Sequence, residues 1–327
     1  MRSASNTIES RLRGAVERGA LALEARQRSD GSWQSDPDMG ILCEAITALV
    51  EGWFSVLTAA DARRYANTLK RAQLPDGGFS VEPLGTEGTL GATAVCRAAL
   101  RICGVADGSR EVRRADARLA ELGGQRALRE RLLRHGEPGA LFLVMAGLMD
   151  ADLLPPVSPD MAALPWSERM LEGRMHGGVP VVIYACAAVR ERFLKKRLVP
   201  GMLRAPLRLV ARTRLAGYIG QFQNPNGSWN GMVFSTVLNL LALDGVGLTI
   251  EDPMVDRAFA WLESRKRRTR GPGSKQEVIR VVPFDGQTWE TAFAVMALRV
   301  CGRREDAPSV RTGAEYLVAA QSREPQV

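Results

Sequence analysis

The sequence predicts an all-α protein in which pairs of helices pack against one another in a ring or a stack. A motif of Gln, two residues, Asp or Asn, Gly, Gly or Ser, and an aromatic residue occurs three times. A helical segment precedes each copy, and apolar residues at helical spacing follow it. Strand patterns are nearly absent, and the best short candidate is Ile279–Pro283. A helix–turn–helix unit cannot bury its apolar face alone, so neighbouring units must cover it.

The repeated motif is interpreted as a structural turn. Asp-Gly and Asn-Gly dipeptides favour tight turns in which Gly takes a positive φ. The Gln amide can bond a free backbone group at a helix end while the aromatic ring packs on the turn. The structural residues of the three copies are Gln27 and Trp33, Gln73 and Phe79, and Gln223 and Trp229.

Along the chain, predicted helices alternate with the turns. An apolar helix over Met39–Phe54 is expected to have Asp36 or Asp38 as its N-terminal cap. The basic run Arg265–Arg270 is expected to be a solvated loop. The remaining predicted helices are Arg18–Arg26, Ala60–Ala72, Arg212–Phe222, Arg257–Arg265 and Arg311–Gln321.

Composition excludes several classes of protein. The 327 residues suffice for about two domains. The first nine residues are polar, which argues against a signal peptide. The longest apolar runs, Gly139–Met149 and Val179–Val189, have 11 residues each, whereas a spanning helix needs about 20. Five cysteines without a CxxC spacing and only two histidines argue against a zinc site. Reduced cysteines and a cytoplasmic location are therefore expected.

The net charge of +8 is concentrated in one segment. Residues 190–214 contain nine Lys or Arg and a single acid, and two prolines, Pro200 and Pro206, are expected to break any long helix there. Cationic and apolar side chains together favour peripheral contact with an anionic membrane. A solvated basic face is the alternative, and we expect no nucleic-acid partner because no nucleic-acid-binding motif accompanies the segment. The predicted membrane patch is Phe193, Leu194, Lys195, Lys196, Arg197, Leu198, Met202, Leu203 and Leu207.

The turns resemble the QW repeats of squalene–hopene and oxidosqualene cyclases, which are class II terpene cyclases. Three further stretches resemble that family in the same order: Gly173–Met175, Asn226–Met232 and Gln287–Thr291. The resemblance covers nearly the whole chain and corresponds to the N-terminal half of such enzymes. It implies an α/α-barrel over residues 36–285. An N-terminal helix and the first turn precede it over 1–35, and the first helices of a second, incomplete barrel follow over 286–327.

The resemblance also implies what chemistry to look for. Family members protonate an alkene or epoxide of a polyisoprenoid with an Asp of a DxDD motif, and this chain contains no Asp-Asp pair. No catalytic residue is identified, and a DDxxD metal cluster is absent as well, so neither a metal nor another cofactor is expected. We therefore expect a split enzyme whose second subunit carries the DxDD half.

Only some of the family's cavity-lining positions have matching residues in this chain. Trp289 matches a tryptophan whose ring can stabilise a carbocation, and Glu290 stands where the family has Asp. Met232, Phe234 and Leu238 fall at lining positions near the third turn. Core packing is the alternative for Trp289 and Phe234, because aromatic residues make up only 6% of the chain.

Three other classes of function are open or disfavoured. A non-catalytic isoprenoid-binding or regulatory protein could keep the barrel without the chemistry. Protein prenyltransferase β-subunits share the helical barrel but need an Asp/Cys/His zinc site. The paired carboxylates of an α-barrel glycosidase cannot be identified from this sequence.

Overall fold

The computed structural model describes residues 2–164, 179–193, 201–271, 273 and 276–321, with side chains except at 2–7, 179, 180 and 201–204. These residues are mostly helical, which confirms the all-α class. The chain divides into two compact units. Unit 1 combines Met1–Asp36 with Asp285–Val327, and unit 2 is Pro37–Phe284.

Unit 2 contains ten of the described helices. Two short 3₁₀ turns, Ala151–Leu153 and Pro159–Ala163, follow the sixth of them. The helices are α2 (Leu42–Trp53), α3 (Ala59–Ala72), α4 (Leu90–Ile102), α5 (Arg110–Glu121), α6 (Gly124–His135), α7 (Gly139–Met145), α8 (Val179–Phe193), α9 (Gly201–Gln221), α10 (Val233–Gly245) and α11 (Pro253–Ser264).

Five inner helices of unit 2 close into a ring. Each packs against the next in the order α2, α4, α7, α8 and α10, and α10 packs back on α2. Outer helices lie against this ring: α3 on α2 and α4, α5 on α4, α6 on α7, and α9 and α11 on α10. Unit 2 is therefore an α/α-barrel, as the sequence predicts.

Side-chain chemistry separates inner from outer helices. Every residue of α7 is buried, and α2, α4 and α10 are buried on nearly all sides. By contrast, α5 buries only Val112, Ala115 and Leu119 and exposes its charged face. A helix that is apolar all round must lie inside a layer of other elements, whereas an amphipathic helix can form that layer.

The expectation of a solvated loop at Arg265–Arg270 is wrong. Lys266–Arg270 forms strand β1, which pairs antiparallel with β2 (Glu277–Val281), with Arg268 opposite Ile279. The predicted strand Ile279–Pro283 thus starts two residues earlier. Lys266 explains the difference, because its side chain is only 5% exposed and pairs with Glu51 at 2.6 Å.

Two further sequence expectations need correction. Neither Asp36 nor Asp38 caps α2, which begins at Leu42 without a side-chain cap. Asp38 instead accepts a hydrogen bond from the Gly40 N–H and pairs with Arg280 at 3.1 Å. Pro206 does not break the chain's helix; it lies inside α9, in the second turn, where it removes one backbone hydrogen bond.

Unit 1 is a small helical unit assembled from the two ends of the chain. It contains α1 (Arg2–Glu24), α12 (Gln287–Val300) and α13 (Pro308–Ala319). Helix α12 packs against both α1 and α13. Its buried core consists of Ala20, Trp33, Ala294, Leu298 and Val310.

Candidate functional site

Each repeated Gln ties one outer helix to the next. The amide of Gln73, at the end of α3, donates to the Gly77 carbonyl at 2.9 Å and to the Glu111 carbonyl of α5 at 2.8 Å. Gln223 donates to Gly227 and to Met254 of α11, both at 2.9 Å. In all copies the second acceptor is the second residue of the next outer helix. The motif is therefore a structural clamp, as its composition predicts.

The first clamp joins the two ends of the chain. Gln27 donates to the Gly31 carbonyl and to the Ser309 carbonyl of α13, both at 2.9 Å. The Trp33 N–H donates to the Thr291 hydroxyl of α12 at 3.0 Å. Thr93 and Thr236 accept the equivalent bonds in the other two copies. The first repeat is thus completed by helices that follow unit 2 in the sequence.

Trp289 and Glu290 have different surroundings on α12. The Glu290 carboxylate accepts hydrogen bonds from the Ser35 hydroxyl at 2.8 Å and from the Ser35 N–H, so it holds the segment after the first turn. The Trp289 side chain is 72% exposed. A cavity of 720 Å³ lies beside Glu290, Phe293 and Trp33.

Met232, Phe234 and Leu238 lie in unit 2, at the start of α10. Met232 and Phe234 are partly exposed, whereas Leu238 is 1% exposed and belongs to the barrel core. Core packing therefore accounts for Leu238. The backbone of Met232 is bridged to Phe284, beyond the hairpin strand β2.

Glu44 is a candidate functional residue that the sequence interpretation missed. It lies in the first turn of α2, and its Oε1 atom accepts from the Val281 N–H at 3.1 Å. Its Oε2 atom has no hydrogen-bond partner. Burial raises the pKa of Glu44 to about 7. The signal was present in the sequence as an acid within the apolar run Leu42–Val50.

A polar cavity of 270 Å³ adjoins Glu44. Asp38, Thr68, Ser80 and Arg280 are among its lining residues. The cavity therefore offers both acidic and basic side chains, next to apolar residues such as Ile41 and Leu74.

The described arginines of the basic segment bind protein groups. Arg190 pairs with Asp152 at 3.4 Å, and Arg208 pairs with Asp160 and with Glu191. Arg212 pairs with Asp252 at 2.8 Å, and the Arg192 guanidinium lies 4.1 Å from the centre of the Trp53 ring. These side chains are thus part of the fold of unit 2.

The predicted membrane patch is described only in part. Phe193 is 45% exposed and Leu207 is partly buried. Leu194, Lys195, Lys196, Arg197 and Leu198 lie outside the described residues, as do the side chains of Met202 and Leu203 and the stretch Gly173–Met175.

The described part of the chain contains neither a membrane-spanning helix nor a cluster of metal ligands. No helix there has the length and hydropathy to cross a membrane. No group of three or more His, Cys, Asp or Glu residues there is arranged to hold a metal ion.

Comparison with known proteins decides the family. A profile described as the squalene-hopene cyclase N-terminal domain matches residues 16–169, and one described as the C-terminal domain matches residues 184–326. The chain belongs to the squalene–hopene cyclase family. The second match extends over α8 to α13, so it includes the end of unit 2 as well as α12 and α13 of unit 1.

Two curated members of the squalene–hopene cyclase family match a stretch of the chain. A squalene–hopene cyclase of Bradyrhizobium diazoefficiens is 34% identical over 118 residues, which are 32% of this chain and 17% of that enzyme. A probable squalene–hopene cyclase of Sinorhizobium fredii is 30% identical over 116 residues, 32% of this chain and 18% of that protein. The matches thus span less than a fifth of those enzymes.

Solved structures with similar chains are more distant. A protein from Actinoplanes is 19% identical, with 92% of this chain and 99% of that chain covered and a TM-score of 0.33. A type II terpene cyclase from Scytonema, in complex with geranylgeranyl dihydroxybenzoate, is 15% identical, with 94% and 77% covered and a TM-score of 0.24.

Proposed function

We propose that this chain is one component of a squalene–hopene cyclase-like class II terpene cyclase that acts on a polyisoprenoid at a membrane surface. A second polypeptide supplies the DxDD acid, because the chain has no Asp-Asp pair. The isoprenoid is the substrate, and the partner half completes the cavity.

One observation carries the proposal: α12 exposes a continuous apolar face. Trp289, Phe293, Met296 and Val300 are 72%, 66%, 61% and 87% exposed and share one side of the helix. In unit 2 the inner helices are covered on all sides. An inner helix with an open apolar side is what a barrel lacking its neighbouring helices would show.

Glu44 does not replace the missing acid. Protonation of an isolated alkene needs a strong carboxylic acid, whereas burial makes Glu44 a weaker one by raising its pKa to about 7. We therefore assign the proton donor to the partner.

The partner is tested by co-expression with the DxDD-containing C-terminal half of a squalene–hopene cyclase. We expect co-purification and conversion of squalene to cyclic products that neither half forms alone. The double variant Phe293→Ser with Met296→Ser should abolish both the co-purification of the two halves and the formation of cyclic products. The control, Leu84→Ser, removes a 93% exposed leucine of unit 2 and should change neither.

Two results would contradict the proposal of a split enzyme. Cyclisation by the purified chain alone would refute it. Co-purification without turnover, together with bound isoprenoid, would instead support a non-catalytic binding or regulatory protein.

Membrane contact is proposed for the basic segment. Leu209 and Val210 on α9 are 67% and 42% exposed, and Phe193 at the end of α8 is 45% exposed. We expect the chain to float with phosphatidylglycerol vesicles and to do so less after Leu209→Ser with Val210→Ser. Equal flotation of both proteins would contradict this patch.

A further inference from the structure

We propose that helix α6 and its surroundings in unit 2 form a second ligand site, which binds a single-chain anionic amphiphile such as a fatty acid. The site combines two adjoining, mainly apolar cavities, the first of which is also lined by three arginines of α6. It goes beyond the cyclase function and does not depend on it.

The first cavity is cationic. It measures 500 Å³ and lies along one face of α6, beside Arg126, Arg129 and Arg134, with Glu130 as its acid. Arg134 pairs with Glu130 at 3.2 Å. Arg126 and Arg129 are exposed and form no ion pair within the described part of the chain. Two guanidinium groups are thus available for an anion, and their planar donor pairs suit a carboxylate or a phosphate.

The second cavity is largely apolar. It measures 440 Å³ and is bounded by Leu132, Val157, Met161, Val182 and Ile183 among others. That volume lies within the range of about 300–1,000 Å³ usual for small-molecule sites. Burial raises the pKa of Tyr184 and raises that of Cys186 to about 12, so these two groups in the wall stay neutral.

Leu133 and Arg134 line both cavities, which therefore lie next to each other. Leu133 is 56% exposed although it is apolar. A ligand with an apolar chain in the second cavity would pass Leu133 and bring its anionic head to Arg126 and Arg129. Charge complementarity and the adjoining apolar space together define the ligand class.

The test uses the fluorescent fatty acid cis-parinaric acid, below its micelle concentration, with the full chain. We expect saturable binding that weakens about tenfold in Arg126→Gln with Arg129→Gln, because two charge-assisted contacts are lost. The methyl ester should bind more weakly than the acid and should be insensitive to this change. A matched control, Arg110→Gln with Arg113→Gln, removes two exposed arginines of α5 and should leave binding unchanged.

A second variant tests the apolar cavity. The Val157→Trp substitution fills part of this cavity. It should weaken the binding of the acid and of the methyl ester equally, provided that circular dichroism shows a native fold. Phe293→Ser with Met296→Ser should leave binding intact, which separates this site from the α12 face.

Three results would overturn the proposal: equal binding of acid and ester, wild-type affinity of the α6 double variant, or wild-type affinity of a folded Val157→Trp variant. Arginine-dependent binding to phosphatidylglycerol vesicles without binding of monomeric parinarate would also overturn it, in favour of a bilayer contact.

Discussion

Glu44 shows how a single buried carboxyl group couples the fold to pH. It accepts one hydrogen bond, from the Val281 N–H, and its second oxygen is unpaired. Desolvation raises its pKa from 4.5 to about 7. The folded protein therefore binds a proton that the unfolded chain releases between these pH values, so the free energy of unfolding falls as pH rises through this window.

The first prediction concerns Glu44→Gln. One pKa unit corresponds to about 1.4 kcal/mol, so the wild-type penalty above pH 7 is on the order of 3 kcal/mol. Urea unfolding between pH 4.5 and 8 should show a flatter profile for the variant, with the largest gain at pH 8. Glu87→Gln, which changes an exposed acid, should keep the wild-type slope. If the free energy of unfolding of Glu44→Gln fell with pH as steeply as that of the wild type, Glu44 would not be the group responsible.

At the residue scale, the repeated clamps were predictable and Glu44 was not. The Gln and aromatic residues recur at a fixed spacing, and their roles depend on local turn chemistry. The one hydrogen bond that the Glu44 carboxylate accepts comes from the Val281 backbone, 237 positions away in the sequence. Helical periodicity carries no information about such a pair.

The hairpin of β1 and β2 depends on one buried cation. Lys266 pairs with Glu51 at 2.6 Å, with Glu263 at 2.8 Å and with Asp61 at 3.4 Å. These acids raise its pKa above the ordinary value in spite of burial. The strand is thus anchored on α2, α3 and α11 through charge.

The second prediction concerns Lys266→Met. It leaves Glu51 buried without its cation and should lower the free energy of unfolding by about 3–5 kcal/mol. Urea unfolding measures the change. Arg270→Met, on the same strand but exposed, should change it by less than about 0.5 kcal/mol.

A compensating variant separates charge from packing. Glu51→Gln added to Lys266→Met should recover part of the lost stability, because no unpaired charge is then buried. No recovery would show that the Lys266 side chain acts through packing alone.

At the element scale, sequence patterns located the helices that flank the repeated turns but missed α5, α6 and the environment of charged segments. The run Arg265–Arg270 has the composition of a solvated loop, yet one of its six residues is buried against acids from three helices. Pro206 likewise suggested a helix end, although it lies inside α9. In both segments local composition did not predict the structure, because tertiary contacts can override local propensity.

The closed ring of inner helices makes unit 2 self-sufficient. Every inner helix has a neighbour on each side, and the outer helices cover the ring. Unit 1 has a core of five buried residues. The periodicity of the repeats was enough to predict helix pairs in a ring or a stack, but not that five inner helices close a ring.

The third prediction is that residues 37–284 fold without the chain ends. The fragment should unfold cooperatively in urea and retain its near-ultraviolet circular dichroism. Strong binding of a hydrophobic dye together with loss of the near-ultraviolet signal would indicate a molten state and contradict the prediction.

The three clamps differ greatly in how far apart their partners lie along the chain. Gln73 and Gln223 reach acceptors 38 and 31 residues away, whereas Gln27 reaches Ser309, 282 residues away. During synthesis, the whole ring emerges from the ribosome before Ser309 exists, and long-range contacts form slowly. The Gln27 amide at the end of α1 therefore cannot make this hydrogen bond until Ser309 has been translated.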